Sequence, residues 1–210
     1  MNAKRHTMLR QGIALLAVIV ICAVFWLDRE QGDLSHKLVR LHVLANSDTQ
    51  EDQALKRKVR DRILLETGAS LKDPKDICDV TNTLRAQLPN LEQAASEVIQ
   101  AEGYPYPVSV ELKETWFPTR QYDGFALPAG NYEALRVLIG EGRGQNWWCV
   151  VFPPLCVAAA SETFVETATA TGLSSEEISL VSDDEEEYVI KFRAIELWET
   201  LKHQFAGIAP

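Results

Sequence analysis

The sequence predicts an α+β fold: a strand, two helices that could number three, a three-stranded antiparallel meander and a closing helix. Three observations carry that prediction. Residues 38–45 alternate with period two, Leu38, Arg40, His42 and Leu44 on one face and Val39, Leu41, Val43 and Ala45 on the other. Leu55, Val59 and Ile63 then recur at i, i+4, i+8, an apolar helical stripe. Beyond Tyr104-Pro-Tyr-Pro107 the period returns to two in Val108–Leu112, and apolar runs follow at Tyr132–Ile139 and Trp147–Phe152.

In chain order, the N-terminus is set apart from the folded body. Lys4, Arg5 and Arg10 precede an uncharged apolar run, Ile13–Leu27, and Asp28, Glu30 and Asp33 follow it. Positive charge stays on the cytoplasmic side, so the body is expected outside the cytoplasm. As a helix the run is roughly 22 Å long, between a signal core and a full span. Ala23 as the residue before a cut would put bulky Ile21 at the −3 position, and Ile21 also spoils a lipid-attachment box at Cys22. The expected organisation is therefore a charged region at 1–12, a signal or anchor at 13–27, whether or not it is cleaved, and a linker at 28–36. One extracytoplasmic domain then fills 37–206, within which 157–187 is an acidic, Ala/Thr-rich variable segment.

The first strand should be an inner one, since both of its faces are largely apolar. Asn46-Ser47-Asp48 ends it, and a capping box follows from Asp48 with Glu51 or from Ser47 with Gln50. Lys56, Arg57, Lys58, Arg60 and Arg62 cover the rest of that helix, and a solvated face is the plainest account of them. Thr67-Gly68-Ala69-Ser70 should stop it. Asp73-Pro74 reads as the next start, cap then first helical residue. Pro89 fits one kinked helix or two before Glu102-Gly103. Trp116, Phe117, Tyr122 and Phe125 suggest a turn rich in aromatics between Thr115 and Pro128. Gly140, Gly142 and Gly144 suit a hairpin turn, being followed by a strand and lacking the Gly-Lys-Ser/Thr of a phosphate loop. Asp183–Glu187 reads as a solvated acidic loop, and Tyr188, Phe192, Ile195, Trp198, Leu201 and Phe205 mark the apolar face of a closing helix.

The chain has 210 residues and a formal net charge of −9, which argues against a nucleic-acid partner. His6, His36, His42 and His203 are scattered, and no CxxC or HExxH spacing occurs, so neither a metal nor another cofactor is expected. With Cys22 in the apolar run, Cys78, Cys149 and Cys156 remain. Buried free thiols are the expectation; Cys149 and Cys156 are the candidate disulfide, should the chain reverse at Pro153-Pro154. A Cys149 nucleophile served by His42 and Asp48 would make the protein a thiol-dependent cell-envelope hydrolase. A mid-strand position between Trp148 and Val150 suits a core thiol better. The preferred reading is a non-enzyme with a binding surface. Arg40, His42, Asn46, Ser47 and Asp48 at the end of the first strand, Arg57 and Arg60 on the helix, and Trp116 and Tyr122 in the aromatic turn are its candidates.

Three stretches together resemble one family: LVRLHVLANSDTQEDQALKRKVRD at 38–61, YEALRVLIGEG at 132–142 and NWWCVVFPPLC at 146–156. They are similar to the stage II sporulation protein R family of endospore-forming bacteria, over about Leu38 to Trp198. The resemblance implies a signalling protein made in the forespore and exported across its membrane into the intermembrane space. There it would act on a membrane-embedded aspartic protease, which removes the pro-segment of the mother-cell sigma factor precursor (pro-sigma-E). It carries no catalytic residues to this chain, and no role onto residues 157–187.

Overall fold

The structure, a computed structural model, describes residues 34–71, 74, 76–122, 125–156 and 167–182, together with 8, 10–12, 14, 15 and 18 near the N-terminus. Most of the expected signal or anchor run, the acidic run at 183–187 and the closing helix at 188–205 lie outside the described residues. Among the described residues no helix is long and apolar enough to cross a membrane.

The elements are β1 (Val39–Leu44), α1 (Gln50–Ser70), α2 (Ile77–Ala101), β2 (Val108–Phe117), β3 (Arg120–Tyr122), β4 (Phe125–Leu127), β5 (Gly130–Ile139), β6 (Asn146–Phe152) and α3 (Ser175–Ser182). The fold is α+β, as the sequence predicts, but its strands do not form a meander. The four-stranded sheet has the order β2-β5-β1-β6, with β1 parallel to β5 and antiparallel to β6. β1 is thus inserted between two strands that follow each other in sequence. Its burial explains why: Val39, Arg40, Leu41 and Val43 are each 0% exposed. A strand apolar on both faces gains most in the middle of a sheet with both faces covered.

One face of the sheet carries α1 and α2. Val39, Leu41 and Val43 of β1 meet Leu55, Val59 and Ile63 of α1 and Val80, Leu84, Leu91 and Ile99 of α2 in one cluster. Each fully buried aliphatic side chain here stabilises the fold by about 1.5–3 kcal/mol. α2 runs unbroken through Pro89, which is exposed. The carbonyl orphaned by the missing N–H therefore faces water rather than core. Its cap is Asp76, whose side chain accepts the Asp79 N–H at 2.8 Å, and not Asp73. α1 continues past Gly68 to Ser70, and the buried Thr67 hydroxyl bonds back to the Ile63 and Leu64 carbonyls.

The opposite face is covered by Leu34 and Leu38, by the β3–β4 hairpin through Phe125 and Leu127, and by Leu155, Leu173, Ile178 and Val181. Where an aromatic turn was expected, β2 continues through Phe117 and the chain then folds into that hairpin. A register shift between β1 and β6 near Val39 lets Val151 and Phe152 both point to the helices, while Val150 points away.

Candidate functional site

The β1–α1 turn is a closed polar clasp. Thr49 is the helix cap, its hydroxyl accepting the Asp52 N–H at 3.2 Å; this displaces both Asp48 and Ser47 from the role the sequence suggests for them. The Asp52 carboxylate instead gathers the turn, accepting from the Ser47 hydroxyl at 2.6 Å and the Asn46 amide at 2.9 Å. Burial alone would raise the Asp52 carboxyl. The hydrogen bonds from Ser47, Asn46 and the Tyr106 hydroxyl outweigh it and hold the group below the usual carboxylate range.

The glycine loop 140–144 seats on this turn. It is not a hairpin, since β1 separates the strands it joins. Gly144 N–H donates to the Ala45 carbonyl at 2.9 Å, Glu141 N–H to Asn46 Oδ1 at 3.0 Å and Gln145 N–H to Asp48 Oδ1 at 2.6 Å. A Cβ at Gly140, where φ is +59°, would overlap the Asn46 side chain, and one at Gly144 would overlap the Ser47 carbonyl. Lys56, 4% exposed, ties the far side to the Gln145 carbonyl at 2.8 Å. Burial and then the neighbouring Arg57 lower its pKa. Asn46, Ser47 and Asp48 are therefore committed to holding the turn and loop together, and sequence reading missed Asp52 and Lys56, their partners.

Arg40 and His42 lie on the other face of β1. Arg40 is 0% exposed; its Nη2 donates to the Tyr122 hydroxyl at 2.5 Å and its guanidinium lies 4.1 Å from the Phe117 ring centre and 4.9 Å from that of Tyr132. His42 stacks on Trp148 at 3.8 Å and its Nε2 lies 2.8 Å from Asn146 Oδ1, which fixes Nε2 as the protonated nitrogen. Desolvation lowers its pKa to about 4, the Asn146 bond opposing and the charges of Arg136 and Arg40 assisting. Tyr122 thus joins Arg40. Trp116 does not: it is half-buried at the opposite parity of β2 from Phe117.

Arg57 and Arg60 occupy a third place. Arg57 is exposed; Arg60 pairs with Asp61 at 2.6 Å and lies 4.1 Å over the ring of Trp147 from β6. Lys58 bridges to Glu102 at 2.5 Å and Arg62 to Glu66 at 2.9 Å. The Trp147-Trp148 pair serves both sides of the sheet, one ring under Arg60 and the other on His42. Strand parity alone could have separated them.

The nine candidates do not converge. Eight of them form a structural clasp, a buried cation–aromatic cluster and a basic helix face, and Trp116 joins none of these. Nor do Cys149, His42 and Asp48 form a triad: Cys149 faces the helices while His42 faces away. Cys149 is moreover disulfide-bonded to Cys156 with their Cα atoms 5.6 Å apart, which corrects the expectation of free thiols at both positions. Pro153-Pro154 supplies the reversal, with a cis bond before Pro153. Cys78 is a free, exposed thiol. Among the described residues no group of three or more His, Cys, Asp or Glu is placed to hold a metal ion. A cavity of about 840 Å³ lies between α1, the end of β6 and residues 167–172, lined by Leu64, Leu71, Val151, Phe152 and Pro154 among others.

No solved structure matches the chain. The family model of stage II sporulation protein R (spore_II_R) matches residues 35–162, all of the four-stranded sheet and both long helices. Stage II sporulation protein R of Bacillus subtilis (strain 168) is 42% identical over 118 residues, 56% of this chain and 53% of that protein, so the matched stretch spans about half of the relative. The β1–α1 clasp, the inserted first strand and the edge strand with its two tryptophans all lie within the matched stretch: the chain belongs to the stage II sporulation protein R family, a family named for sporulation.

Proposed function

We propose that this protein is an exported signal that activates a membrane-embedded aspartic protease and so starts processing of the mother-cell sigma factor precursor, pro-sigma-E. It is made in the forespore, crosses the forespore membrane and acts in the intermembrane space, diffusing or tethered by its N-terminal segment. It works as a ligand: it shifts the protease toward the active form only as far as it binds that form better than the resting one. The observation that carries the reading is family membership over the whole sheet and both long helices. The charge order around Ile13–Leu27 supports export. The face of α1 that carries Arg57 and the Arg60–Trp147 stack is the surface nominated for contact.

The test is to reconstitute precursor, protease and this protein in one membrane, with and without residues 1–36. Arg57→Glu with Arg60→Glu is expected to cut precursor processing by at least about tenfold, the size of one hot-spot contact. Arg57→Glu alone should leave the melting temperature unchanged, because that side chain is exposed. Full processing by the folded double variant would remove this helix face from the contact.

The thiol-hydrolase alternative is separated by Cys149→Ser. Opening a disulfide that joins residues seven apart should cost about 2–3 kcal/mol of stability. Below its lowered melting point the variant should still drive processing, whereas a thiol enzyme would lose all turnover.

A further inference from the structure

Arg40 is a full positive charge inside the domain, 0% exposed, and among the described residues no carboxylate pairs with it. Phe117 and Tyr132 offer ring faces, and the Tyr122 hydroxyl takes one N–H. Nε and Nη1 are buried without any acceptor. A guanidinium is built to bind a planar anion through paired N–H groups, and three neutral aromatic neighbours leave most of that capacity unused. The indole N–H of Trp148, which stacks on His42 two residues along β1, is buried without an acceptor as well. The same face of the sheet therefore holds a surplus of donors, and among the described residues no acid answers them. Glu111, the acid paired with Arg136 on the neighbouring strands, is already engaged.

Part of the cover over Arg40 comes from a sheet of its own. Tyr122 belongs to the β3–β4 hairpin, whose strands form a two-stranded sheet of their own and add no strand to the main one. Turning the Tyr122 side chain away breaks no ladder bond of the four-stranded sheet, while Phe125 and Leu127 hold the hairpin on the core. The Arg40–Tyr122 hydrogen bond joins hairpin to cation directly, and the Tyr122–Phe125 stack keeps the hairpin's inner face together.

We propose that Arg40 under the β3–β4 hairpin is a carboxylate-binding site, which takes the carboxylate of a small acid, or of an acidic side chain on another protein, in place of the Tyr122 hydroxyl. Binding is non-covalent: the guanidinium stays protonated, the carboxylate accepts its N–H groups, and the phenol is released to water. The inference goes beyond the signalling reading and does not rest on it.

The full chain in detergent micelles, labelled with ¹⁵N in arginine and tryptophan, is titrated with sodium acetate at constant ionic strength, chloride making up the balance. The Arg40 Nε–H and Trp148 indole resonances are expected to move together and saturate, while the exposed Arg57 does not. Tyr122→Phe, which removes the competing oxygen but keeps the cation, should bind acetate at least about tenfold more tightly, the worth of one hydrogen bond from a charged donor. Hexaglutamate binding more tightly than acetate assigns the site to a protein partner; acetate binding alone assigns it to a small acid. If Arg40 shows no saturable shift in either folded protein, it is a structural cation and the proposal fails. Equal acetate affinity of the two proteins would overturn the role of Tyr122.

Discussion

Lowering the pH from 7 toward 4 is expected to destabilise this protein by about 3 kcal/mol through one side chain, His42. Its folded pKa lies at about 4, against 6.5 for the unfolded chain. Above pH 6.5 the imidazole is neutral in both states and contributes nothing to pH dependence. Between 6.5 and 4 the unfolded chain takes up a proton that the folded one refuses, so stability falls with pH. Below 4 both states are protonated and the loss levels off. At 1.36 kcal/mol per pKa unit the full loss is about 3 kcal/mol. The measurement is the urea midpoint at several pH values for the native chain and for His42→Phe, which keeps an aromatic ring against Trp148. Carboxylates titrate in both proteins, so the difference between the two curves isolates His42. Parallel curves would mean that His42 titrates as though exposed.

Asp52→Ala should cost a comparable amount, about 3 kcal/mol, or roughly 6–12 °C in melting temperature for a chain of this size. The carboxylate accepts from Ser47 and Asn46 and takes the Tyr106 hydroxyl, and alanine leaves those donors beside a void. The damage should spread to the glycine loop, because Asn46 also holds the Glu141 N–H. Asp48→Ala is the control. Asp48 is exposed and accepts the Gln145 N–H, so its loss should be nearer 1 kcal/mol. A melting curve in which the two variants lose equal stability would show that Asp52 is not the centre of the turn.

What the sequence could and could not reveal divides along physical lines. β1 announces its central place because its apolar residues leave no face for water. The Leu55, Val59, Ile63 stripe is legible for the same reason: burial leaves a period in the residues themselves. Sheet order leaves no such trace. Gly140–Gly144 between two apolar runs looks like a hairpin whether or not a third strand separates them. The cap is ambiguous locally, since Ser47, Asp48 and Thr49 are all able to cap; in the fold Thr49 caps while Asp48 accepts the N–H of Gln145, 97 residues away. The Cys149–Cys156 bond likewise depends on a Cα separation that only the folded chain sets. Arg40 and His42 stand out in the sequence as polar residues on an otherwise apolar inner strand. Grouping them with Arg57 and Arg60 fails, because strand and helix send those side chains to opposite sides of the sheet.

The insertion of β1 between β5 and β6 fixes an order of events as the chain is made. β1 leaves the ribosome early, yet neither strand that will flank it exists until residues 130–152 have been added. Until then its apolar alternation has only the two helices to rest on, and the sheet cannot close. The strand that emerges first stays unlocked until residues 130–152 have followed it, and only then does the late-arriving pair clamp around it.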